Sequence, residues 1–195
     1  MVQIGKQDGA TTLILNRPKQ RNALDAGVID GLIQAINEAE ADNETRCLVI
    51  RGAGGNFCAG RDLTRAAPRD LASSLAQDET WTKVNRLLHT MSKPTVAVVE
   101  GYAVAGGFTL AMICDFVLAE QGAHFGALEM RRGFPAAINT PVLSKLIGPR
   151  LALEFLLFGD LNDPESEISK RLKTYPSMAI RDDLGLDPGV RYQGI

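Results

Sequence analysis

The chain has 195 residues, of which 45% are hydrophobic and 23% charged, and a formal net charge of −2. That length suits one sizeable core rather than two, and the composition is that of a folded globular protein rather than a disordered one. The slight acidity excludes the basic excess that binding to nucleic acid or an anionic membrane selects.

No apolar stretch approaches the length needed to span a bilayer. The start, "MVQIGKQDGA", has no basic region followed by an apolar run, so no secretory signal is expected there. Cys47, Cys58 and Cys114 are odd in number and widely spaced, without a C-x-x-C pair. Neither a disulfide framework nor a metal site is expected, and a reducing cytoplasm is the simplest compartment.

The predicted elements alternate between strand and helix, the pattern of a layered α/β domain. "TTLILN" (11–16) is a β-rich run stopped by Arg17 and Pro18. Asp25 can cap the next segment, in which Val28, Ile29, Leu32, Ile33 and Ile36 recur at helical spacing. "CLVIRG" (47–52) reads as a buried strand entering the glycine-rich loop "GAGGNFCAGRDL". A second helical stripe follows in Trp81, Val84, Leu87, Leu88 and Met91, closed by Pro94. "TVAVVEG" (95–101) is a strand that enters "YAVAGG" and then "FTLAMICD", and "FVLA" (116–119) is another. Helices are predicted over 141–147 and 150–158. From Asp160 onward the apolar residues lose their period, and residues 159–195 read as an atypical C-terminal tail on a core formed by residues 1–158.

Strand, glycine loop and helix occur together twice. A helix start presents unpaired backbone N–H groups, and glycine lets a ligand approach the backbone closely. Two such loops facing each other can hold one oxygen atom from both sides, as an oxyanion hole does; they can equally serve only tight turns and close packing. Neither loop matches G-x-x-x-x-G-K-[ST] or G-x-G-x-x-G, which disfavours nucleotide binding of those kinds. Among other candidates, His89 and His124 have no carboxylate pattern implying a triad and read as structural. Cys58 reads as a small buried hydrophobe, Asp62 as a brace of the helix start, and Asp115 as a turn residue.

Four segments in this order, "ILNRPKQRNAL", "VIRGAGGNFCAGRDL", "KPTVAVVEGYAVAGGFTLAMICDFVLA" and "FGALEMRRGFPA", resemble the crotonase superfamily, the enoyl-CoA hydratase/isomerase family, over residues 2–158. The resemblance implies a single α/β domain built as a spiral of ββα units. It implies an acyl-CoA or enoyl-CoA substrate that brings its own coenzyme A, no further cofactor, and assembly as trimers or hexamers. The positions matching the family's oxyanion-hole N–H groups are Arg61 and Gly106. Ala23, Ala59 and Gly60 match positions around the adenine pocket, with Asp62 next to them. Lys19 and Arg21 stand where basic side chains often meet the coenzyme A phosphates, and a plain solvated surface charge is the alternative for both.

Hydratases of the family carry two glutamates at the reacting carbons. Here the second is kept as Glu129, expected as the catalytic acid/base rather than as a surface ion-pair partner, while the first is replaced by Thr109. Holding a water while delivering a proton is a task two carboxylates share; moving a double bond needs one base that takes a proton and returns it elsewhere. The single glutamate therefore tilts the expectation toward isomerisation, with hydration and a non-catalytic coenzyme A-binding scaffold as alternatives. Some members bind RNA through a basic first helix, but here that helix reads "DGLIQAINEAEADNE", which is acidic.

Overall fold

The computed structural model describes residues 1–62, 71–133, 135–159 and 178–180. A six-stranded sheet has the order β1-β2-β3-β4-β6-β8, with β1 (Val2–Gln7), β2 (Ala10–Leu15), β3 (Cys47–Gly52), β4 (Thr95–Val99), β6 (Phe116–Ala119) and β8 (Met178–Ile180). β1 and β2 form an antiparallel hairpin, and every other neighbouring pair is parallel. Side chains alternate across a strand, so the register sets Leu13, Ile50, Ala97 and Val117 in one row across four strands. All four are buried, and this face packs in the hydrophobic core.

α1 (Ala26–Ala41) and α2 (Leu71–His89) pack on one another beside the sheet. Asp25 caps α1, its carboxylate accepting from the Val28 N–H at 2.9 Å. Val28, Ile29, Leu32 and Ile36 are buried along the predicted stripe, and Ile33 is half-buried at its edge. In α2, Trp81, Val84 and Leu88 are buried. The expected helices near the C-terminal end of the patterned region are α4 (Asn139–Ile147) and α5 (Pro149–Phe158). Asp115 does more than turn the chain: its carboxylate accepts from both the N–H and the hydroxyl of Thr95 at 2.9 and 2.8 Å, holding the start of β4.

A second, smaller layer positions the site. β5 (Tyr102–Val104) and β7 (His124–Gly126) pair in parallel. Cys58 bridges Ala103 of β5, and Arg61 bridges Leu24, while the Ala59 N–H donates to the Arg21 carbonyl at 2.9 Å. Four short segments, 21–24, 58–62, 102–104 and 124–126, thus run side by side in the same direction. Ligands of open α/β proteins bind beyond the C-terminal ends of parallel strands, and here those ends lead to Asp25, Asp62, Gly106 and Glu129. The sequence predicts neither β5 nor β7 as a strand, because three residues are too few to display a period. Apart from Gly159 and β8, the expected tail of residues 159–195 lies outside the described residues.

Candidate active site

Gly60 lies in the left-handed region at φ +85°, and a Cβ there would stand 2.9 Å from the Ala105 Cβ and 3.1 Å from the Gly106 nitrogen. Only a residue without Cβ lets the first glycine loop approach the second so closely. Gly107 seals the same contact from the other side, since its Cβ would meet the Cys58 carbonyl oxygen at 2.2 Å. Ala105, between them, is itself held at φ +49° and ψ −122°. Such a backbone costs a non-glycine residue about 1–3 kcal/mol and persists only where its surroundings enforce it. Here the Ala105 N–H donates to the Gly126 carbonyl at 2.7 Å, which locks the peptide leading into α3 (Gly106–Met112).

The two backbone N–H groups singled out in the sequence lie on adjoining segments. The Leu24 N–H donates to the Gly60 carbonyl, and the Asp62 N–H to the Leu24 carbonyl, at 2.8 and 2.9 Å. Along an extended chain successive peptide groups face opposite ways, so the Arg61 N–H between them faces away from Leu24. Gly106 is the first residue of α3, where an N–H has no partner within its own helix. A Cβ placed on Gly106 would lie 3.6 Å from each of the Arg61 nitrogen, Leu24 Cδ1 and Trp81 Cζ2. The Arg61 backbone nitrogen, the Leu24 side chain and the Trp81 indole thus surround the Cβ side of Gly106. The Arg61 side chain turns outward and pairs with Asp78 on α2.

Glu129 follows β7 and ends against α4. Its Oε1 accepts from Asn139 Nδ2 at 2.9 Å, while its Oε2 is buried without a hydrogen-bond partner among the described residues. Burial is the main cause of a pKa above the ordinary glutamate value, opposed by hydrogen bonds from its backbone and from Asn139. Asn139 in turn accepts from the Thr109 hydroxyl at 2.8 Å. Thr109 stands on α3, one turn beyond Gly106. The carboxylate is thus tied through two hydrogen bonds to the helix whose first residue supplies an N–H.

Around this centre, Arg17 donates to Asp62 at 2.9 Å, pairs with Asp25 at 3.4 Å and binds the Ala23 carbonyl. Asp62 therefore braces the loop against the start of α1. Ala23 and Ala59 are half-buried on adjoining segments, beside buried Gly60. Lys19, in the short 3₁₀ turn Pro18–Gln20, and Arg21 are exposed on the same segment. The Arg21 guanidinium lies 5.8 Å from the centre of the Tyr102 ring, which stacks on His124 at 5.1 Å. Cys58 is not in a nucleophile's setting, because burial pushes its thiol up to about 12. Among the described residues, no three His, Cys, Asp or Glu side chains are grouped as a metal site would require, and no helix is long and apolar enough to cross a membrane.

Asn139 was missed in the sequence. An asparagine before a predicted helix reads as a cap, and nothing in "AAINTP" signals a bond to a carboxylate ten residues earlier. Trp81 was read only as part of a core stripe; its proximity to Gly106 depends on how α2 lies across the second glycine loop.

Known proteins resemble this chain along most of its length. Residues 5–170 match the family described as enoyl-CoA hydratase/isomerase. A Thermus thermophilus relative is 38% identical over 167 residues, covering 83% of this chain and 64% of that protein. The 2,3-dehydroadipyl-CoA hydratase of Escherichia coli is 35% identical over 160 residues, covering 80% of this chain and 61% of its own. The chain thus spans less than two thirds of the length of these curated relatives. Among solved structures, an enoyl-CoA hydratase from Shewanella pealeana superposes with a TM-score of 0.85 at 26% identity, over 94% of this chain and 69% of that one.

Proposed function

The chain belongs to the enoyl-CoA hydratase/isomerase family, the crotonase superfamily, and from that premise we propose that it binds an acyl-CoA thioester and performs proton-transfer chemistry on the enolate. The thioester oxygen sits between the Arg61 and Gly106 N–H groups. Glu129 Oε2 takes a proton from the α-carbon as the C–H electron pair moves toward that oxygen. Preorganised donors stabilise the charge that develops there, and losing one typically slows such a reaction by about 10²–10³. The observation on which this reading rests is the Glu129 carboxylate, whose Oε2 is buried without a partner among the described residues and whose Oε1 is hydrogen-bonded through Asn139 and Thr109 to the helix that begins at Gly106. A base needs reach and a pKa near the working pH, and the burial of Glu129 moves it in that direction.

Lys19 and Arg21, exposed on the approach, meet the coenzyme A phosphates, and Ala23, Ala59 and Gly60 line the adenine side. Trp81 and Leu24 bound the acyl group next to the thioester. Thr109 stands where two-carboxylate hydratases have a glutamate, and its hydroxyl is engaged by Asn139. One carboxylate that removes a proton and returns it two carbons along favours double-bond migration. Hydration is the second reading, favoured by the name of the Escherichia coli relative. The protein works in the cytoplasm as a trimer or a dimer of trimers, a state that light scattering over a concentration range tests.

The deciding experiment is incubation with 2-enoyl-CoA and 3-enoyl-CoA isomers of several chain lengths in heavy water, read by mass spectrometry. A product heavier by one water establishes hydration. A product with a moved double bond and no added water establishes migration. Absence of both, together with no α-proton exchange in any saturated acyl-CoA, overturns the proposal.

A further inference from the structure

We propose that Thr109 and Asn139 are positioning residues that hold Glu129 in one orientation, with Oε1 anchored and Oε2 as the single proton-transfer atom. This rests on the reading of Glu129 as the base and assigns the parts of its support. An ionised carboxylate can only accept hydrogen bonds, so the side of the Asn139 amide facing Oε1 at 2.9 Å is its NH₂ group. The amide oxygen then faces Thr109, whose hydroxyl must donate to it at 2.8 Å. That hydroxyl has one hydrogen, and its other neighbour, the Ala105 carbonyl, is farther at 3.3 Å. The sequence of donors is therefore fixed in one direction, from Thr109 through Asn139 to Glu129.

Burial makes the arrangement unambiguous. Thr109 is 2% exposed and Asn139 1%, so water does not compete for either side chain. Without Thr109, the Asn139 oxygen becomes a buried acceptor with no donor, a costly state. The amide is then free to turn and present oxygen to Glu129, which only the protonated carboxyl can answer. Thr109 thus acts on Glu129 through a residue that it never replaces, and it favours the ionised form at a distance of two hydrogen bonds. Among the described residues, the charged side chains on the helical elements packed round Glu129 are Arg131 and Arg132 on its own turn, Lys145 on α4, and Arg150 and Glu154 on α5; α3 contributes none. None of them is among the causes of the Glu129 shift, which are burial and hydrogen bonding. Among those causes the one side-chain hydrogen bond is that of Asn139.

The test compares Thr109→Val, which keeps the shape and removes the hydroxyl, with Thr109→Ser, which restores it. Glu129 is titrated by carbon-13 NMR of its carboxyl group in the substrate-free protein, and α-proton exchange of an acyl-CoA is followed in heavy water. Thr109→Val is expected to raise the Glu129 midpoint by about one pH unit, the equivalent of a tenfold change. Exchange is expected to slow most at pH values below the midpoint, where the ionised fraction falls by up to about tenfold, with KM within about twofold. Thr109→Ser should bring both back toward the wild-type values. A folded Thr109→Val protein titrating at the wild-type midpoint overturns the proposal. Should that variant not fold, the unmodified protein decides: the Asn139 side-chain NH₂ resonances must shift with the ionisation of Glu129, and resonances that stay fixed overturn it. If the wild type exchanges no acyl-CoA proton at all, the functional reading fails, while the titrations still decide the bridge.

Discussion

Gly106→Ala separates the geometry of the N–H pair from the stability of the fold. A Cβ on Gly106 meets its nearest neighbours at 3.6 Å, ordinary van der Waals contact, and Gly106 is not among the residues with positive φ. The methyl is therefore accommodated, and replacing glycine by alanine in a helix stabilises by up to about 1 kcal/mol. Yet Cα–Cβ bonds tilt toward the helix N-terminus, the direction in which the Gly106 N–H, without a partner in its own helix, also points. An oxygen accepting from both donors must stand about 2.7–3.1 Å from each nitrogen. The methyl, 3.6 Å from the Arg61 nitrogen, intrudes on that place. Loss of one donor corresponds to about 2.7–4 kcal/mol of transition-state stabilisation, or roughly 10²–10³ in rate. Deuterium exchange at the α-carbon of a saturated acyl-CoA, with Tm and calorimetric binding measured alongside, reads all three quantities. The expected result is an unchanged or slightly higher Tm with exchange slowed at least about a hundredfold. A folded Gly106→Ala protein exchanging at the wild-type rate would refute the oxyanion-hole reasoning.

Three further predictions concern single groups. Glu129→Gln should slow exchange by at least about 10² while acyl-CoA binding stays within a few-fold, measured by the same assay. It should also raise Tm at neutral pH: the folded-state pKa of Glu129 lies above its unfolded value, so its ionisation opposes folding as pH rises through that pKa. The gain should vanish below the ordinary glutamate range, where both states are protonated; a gain independent of pH would contradict this. Cys58 and Cys114, both pushed to about 12 by burial, should resist iodoacetamide at neutral pH until the chain is denatured, and mass spectrometry finding either labelled in the native protein would count against the packing described. Asp25→Ala removes the cap of α1 and should cost about 1 kcal/mol in denaturant unfolding, within a range of roughly 0.5–2.

The family, the α/β class and the main strands were legible in the sequence because they depend on local pattern. "CLVIRG" and "FVLA" coincide with β3 and β6, and the periodic stripe after Asp25 is α1 with the expected cap. Hydrophobic period and capping act within a few residues, so they can be read without knowing what packs where. The two glycine loops were singled out by their repeated pattern and Glu129 by resemblance, and the structure ties that carboxylate through Asn139 to α3, the helix after the second loop. What only the tertiary structure decided is the environment of that carboxylate. Asn139 lies ten residues along the chain from Glu129, and Thr109 thirty residues from Asn139; no local rule couples such positions. Their bonds arise because the parallel pairing of β5 with β7 carries Gly106 and Glu129 to the same end of the small layer, and α4 then covers it. The left-handed turn at Gly60 and the enforced backbone of Ala105 belong with them. Each is a close approach between distant segments, set by packing rather than by the preference of the residues themselves.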